Sequence, residues 1–485
     1  MERRKFISNL SGFGALSLMK PDLLFSKTVV SSANYTIEQF EDKGLAHFSY
    51  AVLADKKMIV IDPKRDPQIY YDYAKQQDAK IIGIIETHPH ADFASAHLEM
   101  HKKLNVPIYA SSLTKPGYPG TAFDEDAIIK LSDKVSLRSL YTPGHAPDHI
   151  AVVLAEKGKD IAVFSGDSLL IGDVGRPDLR DFSKNVDSQR QKLAEMMYDT
   201  IHEKFAKLSD EVILYPAHGA GSLCGKSIRK AADSTIGYER QHNYAFEKRT
   251  KAEFVSLLLQ DQPFIPKYFP YSVGLNIQGV PELAASLAKI NRLPKNYQPE
   301  AQALIIDSRP ADAFKASYIT DAVNIQNGGS FATWLGSLVS PDTQFYLIGA
   351  DEESLKGVIQ KAASIGYESK IKGAFVYDAK NGNQFAALDI NSFKPEENKY
   401  TYLDVRTTKE VKQEPVFKNS LNIPLQELDK RMSEIPTDKP ILVNCASGYR
   451  SATASSMLKK LLPTVPVYDL GAAVADYKNT AEAKK

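Results

Sequence analysis

The sequence predicts an α/β protein built as one layered domain followed by two smaller α/β units. Three observations carry this. Apolar runs alternate with helical stretches from Ala46 to about Gly279, ligand-type residues cluster just after several of those runs, and two later segments repeat one order of short motifs. A chain of 485 residues agrees with it, since at roughly 150 residues per domain it holds about three.

The N-terminus stands apart. Glu2-Arg3-Arg4-Lys5-Phe6-Ile7 precedes a weakly apolar run to Met19, the pattern of a basic n-region and short h-region of an export signal, and paired arginines before Phe and Ile are similar to the twin-arginine type. Residues 1–33 are therefore read as a signal, with the mature chain starting near Val30 to Asn34 in the periplasm. Without a working signal the chain stays cytoplasmic. No run reaches the roughly 18 apolar residues that span a bilayer.

In the first domain, residues 34–281, the expected strands include Phe48 to Leu53, Met58 to Asp62, Ile81 to Glu86, Val135 to Leu140, Ile150 to Leu154, Ile161 to Phe164 and Val212 to Tyr215. The stretch Phe264 to Tyr271, rich in Pro and aromatics, reads as a packed boundary rather than a helix. The next two units, 282–388 and 389–485, share an order. Asp307-Ser308-Arg309, Asn324-Ile325 and Phe345 to Ile348 are echoed by Asp404-Val405-Arg406, Asn422-Ile423 and Ile441 to Asn444. The first copy continues with Gly349-Ala350-Asp351-Glu352, the second with Cys445.

Composition limits the partners. With 60 basic against 59 acidic residues and a net charge of +1, there is no electrostatic footprint for nucleic acid or an anionic membrane. Small molecules are the expected partners, and a homo-oligomer is compatible with the sequence. The two cysteines, Cys224 and Cys445, are too few and too far apart for a thiolate zinc site. A disulfide between them would have to join two separate sites.

Thr87-His88-Pro89-His90-Ala91-Asp92-Phe93, Thr142-Pro143-Gly144-His145 and Ser165-Gly166-Asp167 each follow an apolar run, which is where α/β sheets place ligands. His88, Asp92, His145 and Asp167 can converge on one ion. Imidazole and carboxylate suit zinc or iron, and two His with one carboxylate and open positions is a mononuclear Fe(II) oxygenase set. Phe93 stands where another ligating residue would complete a second site, and its ring cannot coordinate.

These segments, with Gly172-Asp173-Val174-Gly175-Arg176-Pro177-Asp178 and Tyr215-Pro216-Ala217-His218-Gly219, resemble the metallo-β-lactamase superfamily and, within it, the persulfide dioxygenases. The resemblance spans most of residues 40 to 280 and implies an αββα sandwich holding one Fe(II) per chain on His88, His145 and Asp167. It leaves His90, Asp92 and His218 around those ligands. It sets Arg176 and Asp178 beside the substrate channel, and Cys224 with Lys226 at the thiol pocket. His97, His101 and His149 are read as structural.

In the last unit, Cys445 to Arg450 closes a short loop between a strand and a helix beginning near Ser451. Backbone N–H groups and a helix N-terminus there favour a thiolate or an anionic sulfur, and Arg450 adds a fixed charge. Cys-x-x-x-x-Arg-Ser with Asp404-x-Arg406 and Asn422-Ile423-Pro424 is similar to the rhodanese sulfurtransferases, and the preceding unit resembles a degenerate rhodanese, expected to serve docking or spacing. Protein tyrosine phosphatases, with a Cys-x5-Arg loop, are the rival. The combined expectation is iron-dependent oxidation of a low-molecular-weight thiol persulfide by O₂ to sulfite. Cys445 either passes sulfane sulfur to that sulfite, giving thiosulfate, or loads the dioxygenase. A zinc thioester hydrolase of the glyoxalase II kind and a non-catalytic sulfur carrier are the alternatives.

Overall fold

Two sheets face each other in the first domain because their strands alternate. In the computed structural model, which describes residues 26–180, 186–395 and 399–477, Tyr50, Val52, Ile59, Ile61 and Ile85 of one sheet meet Val152, Leu154 and Phe164 of the other. The intervening Ala51, Met58, Val60 and Ile84 point outward and are covered by the helices Gln68–Gln76 and His97–Leu104. On the far side Ala151, Val153, Val163 and Leu214 lie under Val186–Asp199 and Lys251–Leu259. Each strand is thus buried on both faces, so it reads as a nearly continuous apolar run. Each such side chain contributes about 1.5–3 kcal/mol, so a charge at Ile59 or Val152 would open the sandwich.

The seven-stranded sheet runs in chain order from Ser26–Ser31 to Thr121–Ala122. The six-stranded one is ordered Ser234–Thr235, Ile213–Pro216, Lys159–Gly166, Ile150–Glu156, Val135–Tyr141 and Ile128–Lys130. This is the αββα layering expected. Ser26–Ser31 pairs antiparallel with Thr36–Asp42, so the end of the segment read as a signal is an edge strand here; residues 1–25, with the paired arginines, lie outside the described residues. Among the described residues no helix is long and apolar enough to cross a membrane.

The expectation for Phe264 to Tyr271 holds as far as Tyr268 and is corrected beyond it. Phe269–Gln278 is a helix, with Pro270 in its first turn, where the missing N–H has no intrahelical partner to lose. It buries Phe269, Ser272, Val273 and Asn276.

The two later units each hold a four-stranded parallel sheet of matching order. In the first the order is Ala322–Asn324, Ile305–Asp307, Phe345–Gly349, Ile371–Val376; in the second it is Leu421–Asn422, Thr401–Asp404, Ile441–Asn444, Val467–Asp469. The first of these units, expected to serve docking or spacing, packs directly on the first domain. Its core is continuous with Ala91, Phe93 and Cys224 of the first domain through Tyr268, Phe269 and Val273, and Ala94 N–H donates to Ser364 O at 2.8 Å. The second unit packs on the first, where Asn324 N–H donates to Ser456 Oγ at 2.9 Å and Tyr449 Oη to Gln326 O at 2.8 Å.

Candidate metal centre and thiol site

His88, His145 and Asp167 come together from three strand ends, with one ligand atom of each within 4.8 Å of the others and all three buried. Their orientation is set by neighbours. Asp62, at the end of Lys57–Ile61, accepts Thr87 N–H at 2.8 Å and Thr87 Oγ1–H at 2.9 Å. The Thr87 hydroxyl has then spent its one proton, so it accepts from His88 Nδ1 at 3.0 Å. His145 Nδ1 donates to Arg176 O at 2.9 Å. Both rings therefore present an Nε2 lone pair toward Asp167 Oδ2, at 3.8 Å from His88 and 3.5 Å from His145. A backbone or hydroxyl partner on the far nitrogen is how proteins fix a metal-ligating tautomer.

Burial, then neighbouring imidazoles, holds His88 well below the usual histidine range; burial also lowers His145, against the pull of Asp167. Both rings are held neutral, as ligands must be. Burial raises the Asp167 carboxyl, but His218 and His145 outweigh it and keep it far below the carboxylate range. His88 Nε2 and Asp167 Oδ2 are buried with no hydrogen-bond partner among the described residues. Two neutral nitrogens and one ionised oxygen converging on one point fit a divalent cation.

His90, Asp92 and His218 form a second buried trio within the same spacing. It too holds buried atoms without a hydrogen-bond partner among the described residues, His90 Nδ1, Asp92 Oδ1 and His218 Nε2, but its imidazoles are engaged by carboxylates. His218 Nδ1 donates to Asp167 Oδ1 at 2.7 Å, and His218 Nε2 lies 2.8 Å from Asp92 Oδ2. His90 Nε2 lies 3.1 Å from Asp62 Oδ1. Burial lowers both rings, yet the carboxylates win: Asp167 and Asp92 raise His218 well above the usual range, and Asp62 raises His90. Phe93 packs at a tilt against His90 at 4.4 Å and His47 at 3.9 Å between ring centroids, so a hydrocarbon ring occupies the flank of this trio.

The other predicted residues take these places. Arg176 is buried and holds Asp178 through two hydrogen bonds of 2.6 and 2.8 Å, with Leu223 O and Phe264 O as further acceptors. It thereby clamps the loops beside the metal centre. Lys226 Nζ donates to Leu257 O and Gln260 O. Cys224 lies within ligand spacing of Asp167 and His218, and burial, then Asp92 and Asp167, pushes its thiol up to about 12. Both cysteines are free. His149 is structural and close to the chemistry: its Nε2 accepts Asp167 N–H at 3.0 Å. Gly166, at φ 53°, lets that approach occur, since a Cβ there would sit 2.4 Å from His149 Nε2.

Sequence reasoning missed Asp62, Asn276 and Tyr268. Asn276 Nδ2 donates to His90 O and Phe93 O, both at 2.8 Å, and Tyr268 Oη donates to Asp92 O at 3.1 Å, so the helix Phe269–Gln278 and the residue before it hold the metal loop. Asp62 carried a usable signal, being a carboxylate at a strand end like the others.

Cys445 ends Ile441–Asn444 and is buried. Gly448 N–H points at its Sγ at 3.1 Å, and the helix Tyr449–Leu461 begins at the next residue. Gly448 sits at φ 99°, and a Cβ there would meet the Gly471 backbone at 3.0 Å. Amide hydrogen and helix dipole both favour negative charge on this sulfur. Arg450 is held by Glu410 through bonds of 2.8 and 2.6 Å. Burial raises Glu410, but Arg450 and Thr407 bring it down to about 2.

The model of the metallo-beta-lactamase superfamily matches residues 42–218, and that of the rhodanese-like domain matches residues 392–476. A metallo-beta-lactamase from Staphylococcus aureus subsp. aureus COL of known structure is 30% identical, with a TM-score of 0.65, covering 71% of this chain and 99% of that one. The probable metallo-hydrolase YqgX of Bacillus subtilis (strain 168) is 26% identical over 190 residues, 35% of this chain and 84% of that protein. A hydroxyacylglutathione hydrolase of Francisella philomiragia is 30% identical over 184 residues, 37% of this chain and 65% of that protein.

Proposed function

The chain belongs to the metallo-β-lactamase superfamily and carries a rhodanese-like domain, and on that premise we propose that it is an iron-dependent persulfide dioxygenase coupled to a sulfurtransferase. The observation that carries this is the division of the Asp167 carboxylate. Oδ2 faces His88 and His145, while Oδ1 is taken by His218 Nδ1. Two neutral imidazoles and one carboxylate oxygen make the mononuclear set, and His88, His145 and Asp167 would hold one Fe(II).

When bound, the iron supplies the electron transfer with O₂ that side chains lack. The net reaction is R–S–SH + O₂ + H₂O → R–SH + SO₃²⁻ + 2H⁺; the terminal sulfur is oxidised and dioxygen reduced. Asp62 and Thr87 fix His88, Arg176 O fixes His145, and His149 and His218 fix Asp167. Phe93 with the core beneath it keeps water from that flank. At the second site the Cys445 thiolate attacks the outer sulfur of a second R–S–SH, whose S–S bond breaks to release R–SH; sulfite then attacks the outer sulfur of the Cys445 persulfide, that S–S bond breaks, the Cys445 thiolate leaves, and thiosulfate is the product. Gly448 N–H, the helix N-terminus and Arg450 stabilise that leaving thiolate.

A second reading, a two-metal thioester hydrolase, is favoured by the intact trio of His90, Asp92 and His218. Purification without oxygen followed by metal counting and oxygen uptake separates them. One iron per chain with oxygen consumed on a thiol persulfide is expected, and Asp167→Ala should abolish that uptake while sulfur transfer at Cys445 continues. Two zinc ions per chain with thioesterase activity and no oxygen uptake would overturn the assignment.

A further inference from the structure

A cavity of about 310 Å³ opens between the first domain and the degenerate rhodanese-like unit, a volume at the small end of small-molecule sites. Asp92, which touches His218, lines it on the metal side. Gly221, Ser222 and Leu223, the three residues before Cys224, form one wall. The opposite wall belongs to the degenerate unit: Gly329, Ser330, Thr333 and Trp334. Phe264 stacks with Trp334, ring centroids 6.0 Å apart and planes at 20°.

This wall is held in place. Lys361 Nζ donates to Asn327 Oδ1 at 2.6 Å and Gly328 O at 3.1 Å, and Tyr449 Oη to Gln326 O at 2.8 Å. A fixed loop with an aromatic platform and glycine backbone on both sides suits a flexible chain carrying amide groups, which can stack and exchange hydrogen bonds along its length. A compact amino-acid thiol would leave the wall untouched.

We infer that the degenerate rhodanese-like unit is the outer wall of the thiol-carrier site, with Trp334 and Ser330 gripping the non-reacting end of an extended, amide-bearing thiol. The inference rests on the persulfide reading for the identity of the reacting sulfur, though not for the binding. Trp334 is the one tryptophan of the chain, so its fluorescence is a single-site reporter on this wall.

The test titrates the iron-loaded full chain with S-methylglutathione and S-methyl-coenzyme A, which cannot be oxidised as persulfides, and with S-methylcysteine as the compact control. A saturable change in Trp334 emission is expected with at least one extended probe, at concentrations where S-methylcysteine gives none. Ser330→Glu and Phe264→Ala should weaken that binding at least fivefold, and raise KM more than they change kcat in oxygen uptake, with iron content and Cys445 sulfur transfer kept. Trp334→Phe should abolish the saturable emission change, and a saturable change that persists in this variant would overturn the assignment of the signal to this wall. No saturable response to either extended probe, or unchanged affinity in both weakened variants, would overturn the wall assignment. A response in a chain that consumes no oxygen would instead sink the dioxygenase reading and leave the wall standing.

Discussion

The two later α/β units share a scaffold and differ in one loop. In both, an arginine folds back on an aspartate two residues earlier, Arg309 Nε to Asp307 Oδ1 at 2.9 Å and Arg406 Nε to Asp404 Oδ1 at 3.0 Å. In both, one asparagine ties the strand end down: Asn324 Nδ2 to Asp307 O and Asn422 Nδ2 to Asp404 O, each at 2.9 Å. Register fixes the counterparts, since Asp307 pairs with Ile348 and Asp404 with Asn444, so Gly349 stands where Cys445 does. There the units part. A Cβ at Gly349 would lie 2.6 Å from Leu355 Cβ and 2.8 Å from its Cα, so the helix start fills the cradle. Its amides are also spent, because Ala350 N–H and Asp351 N–H donate to Ser354 Oγ and Ser354 N–H donates to Asp351 Oδ1. The scaffold is thus separable from the chemistry: the same sheet can present a thiol, or close its loop and lend its surface to another domain.

Exchanging the residue that decides the loop separates the two units most strongly. Cys445→Ser should eliminate sulfur transfer, since a hydroxyl is a far weaker nucleophile and forms no persulfide, while oxygen uptake on a supplied persulfide continues and sulfite replaces thiosulfate. Gly349→Cys should confer no transfer, and overpacking should cost about 1–3 kcal/mol. Assays of thiosulfate-to-cyanide transfer, with products identified, check both. Unchanged thiosulfate yield in Cys445→Ser would move the relay to Cys224 or to direct attack of sulfite on the substrate.

The scaffold itself can be attacked in parallel. Arg309→Met and Arg406→Met each leave a buried aspartate without its cation, a loss of about 3–5 kcal/mol. The consequences should diverge. Arg406→Met should reduce sulfur transfer, whereas Arg309→Met should raise the KM of oxygen uptake, because Ser364 O and Gly336 O of its unit anchor Ala94 and Tyr268 beside the metal loop. Denaturant unfolding with both assays would show it, and equal damage to both activities in each variant would mean that the units do not act separately.

Features set by neighbouring residues can be read in the sequence, and those set by distant contacts cannot. Strand ends bearing His88, His145 and Asp167, and the loop from Cys445 to Arg450, announce themselves within a few residues, and so did the duplication. Asn276 reaches His90 O across 186 positions of sequence, and nothing near Asn276 marks it. The helix Phe269–Gln278 was hidden by Pro270, whose penalty disappears only in a first turn. Trp334 joins two cores that meet only in the folded chain.

The smallest effect separates the units by pH. Glu410 stands four residues after Arg406, and the same offset from Arg309 gives Ala313, so the degenerate unit has no counterpart of the Glu410 to Arg450 pair. The Glu410 carboxyl is brought from 4.5 to about 2 on folding. A depressed folded pKa means stability that is fully present above the unfolded value and lost as pH falls through the window from 4.5 toward 2. Because its side chain is 36% exposed, solvent screens the pair and the contribution stays modest. Hydrogen exchange of Tyr449–Leu461, corrected for the intrinsic rate and compared with Glu352–Ser364, should show protection of the former falling faster across that window. Glu410→Gln should remove this difference while lowering protection near neutral pH, since the amide keeps a hydrogen bond to Arg450 but not the charge. An identical pH slope in wild type and Glu410→Gln would show that the acid sensitivity of the thiol unit lies elsewhere.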